Sequence, residues 1–173
     1  MLIETLFTNK MKAASVQEIK QELSYLSPKQ LQELCLRLIK YKKENKELVG
    51  YLLFDAHHQE AYIENVCNAI DELFTEINTS HIYFAKKTLR KILRIANKQI
   101  KFAGSKEVEV SILLHYCKQL QATGLAKPKN QVVYKLLQTQ LNKINKLILL
   151  LHEDLQFDYL RKLHALQSIQ TSI

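Results

Sequence analysis

The residues of this chain that could do chemistry are few, and their spacing gathers them weakly. "HHQE" at 57–60 sets His57 and His58 beside Glu60, and on a helix His57, Glu60 and Glu64 would share a face carrying ligand types that zinc accepts. The order HExxH is absent, and no Glu-x-x-His occurs, so the paired motif of di-iron helical bundles is missing. "HEDLQFDY" at 152–159 collects His152, Glu153, Asp154 and Asp158 between two strong helical patterns, where Asp154 or Asp158 serves as a helix cap. His115 and Cys117 are two apart on a helix and point in different directions, which argues against a Cys–His nucleophile. No glycine-rich phosphate loop and no G-x-S-x-G occurs. The expectation is a non-enzymatic protein, with no catalytic residue, metal site, cofactor or small-molecule substrate.

One segment stands apart. "KKTLRKILRIANKQIK", residues 86–101, carries Lys86, Lys87, Arg90, Lys91, Arg94, Lys98 and Lys101 and no acid. At 100° per residue these seven fall within about 0–140° of a helical wheel. Phe84, Ala85, Leu89, Ile92, Leu93, Ile95, Ala96, Ile100, Phe102 and Ala103 occupy about 160–340°, so the arcs do not overlap. The row Lys87, Lys91, Arg94, Lys98, Lys101 steps by four, three, four and three, a stripe about 21 Å long at 1.5 Å per residue. Its like-charge pairs at three and four residues cost about 1.5–3.5 kcal/mol at low salt. Something offsets that repulsion: carboxylates of the same chain, or an anionic partner.

Both answers are open in the sequence. Residues 55–85 hold Asp55, Glu60, Glu64, Asp71, Glu72 and Glu76 and no Lys or Arg, so an acidic helix precedes the basic one. If the two helices bury their apolar stripes against each other, both charged arcs face outward and only edge residues such as Glu76 and Lys86 meet. The other answer is a nucleic acid or an acidic protein. The formal net charge is +8, and residues 86–101 alone carry seven positive charges, so the excess is local. No helix-turn-helix pattern, zinc-finger spacing or RNP-like strand accompanies it, so contact with nucleic acid would be to phosphate rather than base. Tyr83, near the start of the stripe, is the one aromatic placed to stack.

The elements that must position this stripe are helices. Three Gly and two Pro, where average usage gives about twelve and nine, leave few turns and long elements. "SVQE" from Ser15 and "SPKQ" from Ser27 are capping boxes that open helices running to about Ser24 and Glu44. The second carries Leu31, Leu34, Cys35, Leu38 and Ile39 at helical spacing. Asn45 caps the next, "DAHHQ" at 55–59 breaks it, and an apolar stripe from Tyr62 to Ile77 follows. After "NTS" at 78–80 the basic helix runs from about 81 to 103 and stops at Gly104. Ser105 caps a helix with Val108, Ile112, Leu113, Tyr116, Cys117 and Leu120 on one side. A loop at 122–130, a helix over about 131–151 and a last one over about 157–170 complete the chain. No stretch alternates with period two.

The fold class is therefore all-α: a single-domain antiparallel array of about seven to eight helices over 15–170, preceded by an extension, 1–14, without order of its own. "NKELVGYLL" and "SKEVEVSIL", sixty residues apart, echo each other, so the packing is either an irregular bundle or armadillo/HEAT-like stacking. Cys35, Cys67 and Cys117 form no CxxC and sit by apolar stripes, as reduced thiols filling core space. Residues 1–10 lack the pattern of a secretory signal, Met11 offers an alternative start, and "LILLL" at 147–151 is too short to span a bilayer. The expectation from these features is a soluble, cytoplasmic protein. "LSPKQLQELCLRLIKYKKENKELVGYLL", "KKTLRKILRIANKQIKFAGSKEVEVSILLHYCKQL" and "LHEDLQFDY" together resemble a group of small, all-helical, uncharacterised bacterial proteins over most of 15–160. The resemblance implies the fold class, is empty for chemistry because such families have no assigned activity, and carries over no catalytic residue.

Overall fold

The computed structural model describes residues 13–171, with side chains described through Ser168. Residues 1–12, which hold most of the expected N-terminal extension and Met11, lie outside the described residues. Among the described residues the chain is all-α, with eight α-helices and no strand. Its contacts divide it at Val49/Gly50 into two compact units.

The first unit holds α1 (Val16–Leu23), α2 (Pro28–Tyr41) and, up to Val49, α3 (Lys43–Gly50). Both capping boxes form. The Ser15 amide donates to Glu18 Oε2 at 2.7 Å and the Glu18 amide donates to Ser15 Oγ at 3.3 Å. The Ser27 amide donates to Gln30 Oε1 at 2.8 Å and the Gln30 amide donates to Ser27 Oγ at 3.4 Å. Each box satisfies donors that a helix start would otherwise leave open. Asn45 does not cap α3, which starts two residues earlier; its Nδ2 donates back to the Leu38 carbonyl at 2.9 Å. The stripe of α2 also departs from expectation. No residue of α1, α2 or α3 is buried, and Leu34, Cys35 and Leu38 are exposed. Periodicity makes these helices amphipathic, but periodicity does not supply a neighbour to cover the apolar side.

The second unit opens at Gly50 with a five-residue π-helical turn, Tyr51–Asp55. It continues with α4 (Gln59–Thr75), α5 (Ile82–Ala103), α6 (Lys106–Ala122), α7 (Gln131–Ile148) and α8 (Glu153–Thr171). α8 begins four residues earlier than the pattern suggests, with Glu153 and Asp154 in its first turn, where carboxylates complement the helix dipole. α7 ends at Ile148, and Leu149 and Leu150 are exposed beyond it.

The core belongs to this unit. α6 touches α4, α5, α7 and α8, and it buries Val108, Val110, Ile112, Leu113, Leu114, Tyr116, Cys117 and Leu120. Spacing alone assigns α6 one apolar side. Val110 and Leu114 lie off that side and are buried too, as expected for a helix apolar most of the way round. Those four are the two helices before α6 and the two after it in the chain, an order of contacts that an irregular bundle and stacked helix pairs share. The two echoing segments differ in structure. Residues 45–53 pass from α3 into the π-helical turn and expose Leu52 and Leu53, whereas 105–113 is the buried start of α6.

Candidate functional site

α5 lies on this core by one face. Ala85, Leu89, Ile92, Leu93, Ala96 and Ile100 are buried, while Lys87, Arg90, Lys91, Arg94 and Lys101 are exposed and Lys86 and Lys98 are half-buried. The helix is pinned to its neighbours at two levels and capped at its end. Tyr116 Oη of α6 donates to the Leu89 carbonyl at 3.1 Å. Tyr62 Oη of α4 donates to the Gln99 carbonyl at 3.0 Å. Gly104, at φ 62°, closes the C-terminus with its amide donating to the Ile100 carbonyl at 3.0 Å. That left-handed conformation is one that glycine adopts without a Cβ penalty.

The acidic helix does not neutralise the stripe. α4 buries Tyr62, Val66 and Ile70, and its Glu60, Glu64, Glu72 and the following Glu76 are exposed to solvent. Asp71 pairs with His115 of α6 at 2.5 Å. The edge pair expected between Glu76 and Lys86 does not form, because each helix turns its apolar stripe to the core and its charges away. Among the described residues, Lys86, Lys87, Arg90, Lys91, Arg94 and Lys101 make no ion pair; Lys98 is not free. The like-charge repulsion along α5 therefore stays largely uncompensated by carboxylates among those residues.

The cations are gathered on one concave surface. An open depression of about 670 Å³ is lined, among the described residues, by Tyr83, Thr88 and five cations, Lys86, Lys87, Arg90, Lys91 and Arg94. Lys101 lies further along the helix and does not line it. Lys86 also lines a second depression of about 200 Å³, together with Ile82 and, from the start of α7, Lys129 to Val133. Sequence reasoning missed Lys129. It sits in the loop before α7, 28 residues beyond Lys101, and the hint in the sequence is the "KPKN" that precedes that helix.

Phe84 belongs by spacing to the buried arc, and it is not buried. It is 56% exposed, beside Tyr83 at 69% and an exposed Ile82. The first turn of α5 overhangs the core, and Ala85 is the first residue buried. The Tyr83 and Phe84 rings meet edge-on, centroids 5.4 Å apart, and His81 meets Phe84 at 6.1 Å.

The other clusters remain apart. No group of three or more His, Cys, Asp or Glu among the described residues could hold a metal ion. His152 reaches Asp154 at 3.2 Å on an exposed surface, and Asp158 pairs with Arg161 at 3.3 Å inside α8 rather than capping it. The cysteines differ from one another: Cys117 is buried, Cys67 half-buried and Cys35 exposed, so Cys35 does not fill core space. Burial pushes the Cys117 thiol up to about 12. Burial, with Asp71 nearby, pushes Cys67 up to about 11. At pH 8 both remain thiols, and the thiolate is the reactive form. Maleimide at pH 8 is expected to label one site per native chain rapidly, and Cys35→Ser to remove that fast phase. Rapid labelling at Cys67 or Cys117 by peptide mapping would contradict this burial.

No helix of the described residues is long and apolar enough to cross a membrane. Comparison with family models, curated proteins and solved structures finds no match to the chain. The class of protein defined so far is an all-α chain with a basic helix face open to solvent.

Proposed function

We propose that the protein acts by binding rather than catalysis, and that the α5 face, Lys86 to Lys101, receives an anionic partner through its phosphates or other regularly spaced anions. The observation that carries this reading is the absence of ion pairs at six of the seven predicted cations among the described residues, five of which line one depression. Like charges held this close on a helix destabilise it by about 0.2–0.5 kcal/mol per pair. A bound polyanion reverses the sign of that contribution. Nucleic acid is the partner favoured, because phosphates repeat along it as the cations repeat along α5.

Binding to a nucleic acid is tested by its salt dependence. About four neutralised phosphates give a log–log slope of affinity against salt near −3 to −4. A slope near zero, measured by fluorescence anisotropy across roughly the 50–200 mM salt range over which such contacts weaken, would rule out phosphate binding at this face.

A second reading is a helical scaffold that recognises a protein partner. The exposed apolar residues of α1 and α2, Val16, Ile19, Leu34 and Leu38 among them, favour it. On that reading the charge of α5 only solvates, and polyanions bind weakly whatever the salt.

A further inference from the structure

The geometry points to single-stranded nucleic acid as the ligand of the α5 face, with Tyr83 and Phe84 as a stacking platform at one end of the phosphate-binding row. This rests on the anion-binding reading above and adds the class of polyanion.

Two adjacent aromatic side chains are held in solvent at 69% and 56% exposure, at the end of the helix that also carries the unpaired cations. Water contact with so much ring area is unfavourable by about 25 cal/mol per Å² of apolar surface. Tyr83 lines the same depression as Lys86, Lys87, Arg90, Lys91 and Arg94, so ring and charges face one ligand. Phe84 meets the Tyr83 ring edge-on, which holds the two rings against each other. Thr88 Oγ1 donates to the Phe84 carbonyl at 3.2 Å and so engages the first turn of the helix.

The combination selects among polyanions. In a duplex the base faces are covered by their neighbours, and an exposed ring finds no π surface except at an end. An acidic peptide offers carboxylates and no bases. A single strand presents both a charged backbone and flat apolar faces. Proteins that bind such strands without reading sequence combine these two elements, a cationic groove and aromatic platforms. The row from Lys87 to Lys101 is about 21 Å long. That length matches about six nucleotides at the roughly 3.4 Å rise of a stacked strand. Lys86 and Lys129, which share the second depression, extend the cationic surface past the aromatic end toward α7.

The experiment uses the full chain and four labelled probes: octauridylate, octathymidylate, an eight-base-pair duplex and polyglutamate. Inorganic polyphosphate serves as an unlabelled competitor. Wild-type protein is expected to bind the single strands more tightly than the duplex or the polyglutamate. Tyr83→Ala/Phe84→Ala is expected to lose about 5- to 150-fold for each base that stacks, with unchanged competition by polyphosphate and an unchanged salt slope. Tyr83→Trp retains the affinity. Both aromatics are exposed, so circular dichroism should show the helices intact. If the double variant binds single strands as well as the wild type does, or if duplex and single strand bind equally, the stacking proposal fails while the anion face stands. Tighter binding of polyglutamate than of any nucleic acid overturns the proposal in favour of an acidic protein. Failure to bind any of these polyanions overturns both readings together.

Discussion

A chain carrying Lys87→Glu, Arg90→Glu, Lys91→Glu and Arg94→Glu is expected to lose essentially all retention on heparin and on DNA. Each reversal removes one positive charge and adds one negative, so the formal net charge falls from +8 to zero. If four phosphates are neutralised in the wild-type complex, counterion release contributes a factor on the order of 10³ to the affinity at about 0.1 M salt. Reversal removes that factor and adds repulsion, so the loss is at least of that order.

Two features make the result interpretable. All four residues are exposed, and none is ion-paired among the described residues, so no packing is removed. The variant also relieves part of the helix's own repulsion. Arg90→Glu sets a carboxylate one turn from Lys86, and Arg94→Glu sets one four residues ahead of Lys98, the favourable order for such a pair. Helix content and the midpoint of urea unfolding should therefore hold. Reversal of the exposed Lys118, Lys135, Lys146 and Lys162 gives the same net charge and serves as the control. An equal loss in the control would make the effect one of net charge. Retention unchanged in the α5 variant would favour the protein-binding scaffold.

Tyr116→Ala is expected to be the most damaging single substitution in the core, costing about 3–5 kcal/mol. Tyr116 has no exposed surface and is the largest fully buried side chain among the described residues. Its ring meets Phe74 edge-on at 5.6 Å, and its hydroxyl donates to Leu89 at 3.1 Å, so it joins α6 to both α4 and α5. Domains of this kind are stable by about 5–15 kcal/mol, so the loss is a large fraction of the whole. Tyr116→Phe keeps the ring and should cost about 0.5–1.5 kcal/mol, the net contribution of one hydrogen bond. Urea unfolding followed by circular dichroism measures both, and a cost for Tyr116→Ala no larger than that of Tyr116→Phe would contradict the packing.

The same residue gives a pH dependence. Burial pushes the Tyr116 phenol above its ordinary value of 10.0. Above pH 10 the unfolded chain releases this proton while the folded chain retains it, so stability declines as pH rises from there toward the folded-state value. Below pH 10 the contribution is fully present. Tyr62 and Tyr159 are raised in the same direction by burial and add to the decline. In Tyr116→Phe the fall above pH 10 should be shallower than in the wild type.

Local physics was legible in the residues alone. The caps at Ser15, Ser27 and Ser105 and the stop at Gly104 depend on atoms within four positions of each other, so spacing suffices to place them. The division of α5 into a cationic and an apolar arc is likewise a property of one helix, and six of the ten apolar-arc residues proved buried. The tertiary structure decided what lies opposite each face. Val110 and Leu114 are buried because α6 is surrounded, which no single-helix wheel can report. Leu34, Cys35 and Leu38 stay exposed because amphipathic spacing does not guarantee a cover. Phe84 is in solvent because α5 extends past the edge of the core, and the length of that overhang depends on where its neighbours end. Whether the carboxylates of α4 reach the lysines of α5 was of the same kind: composition supplied both signs of charge, and the direction in which each helix turns its apolar side kept them apart.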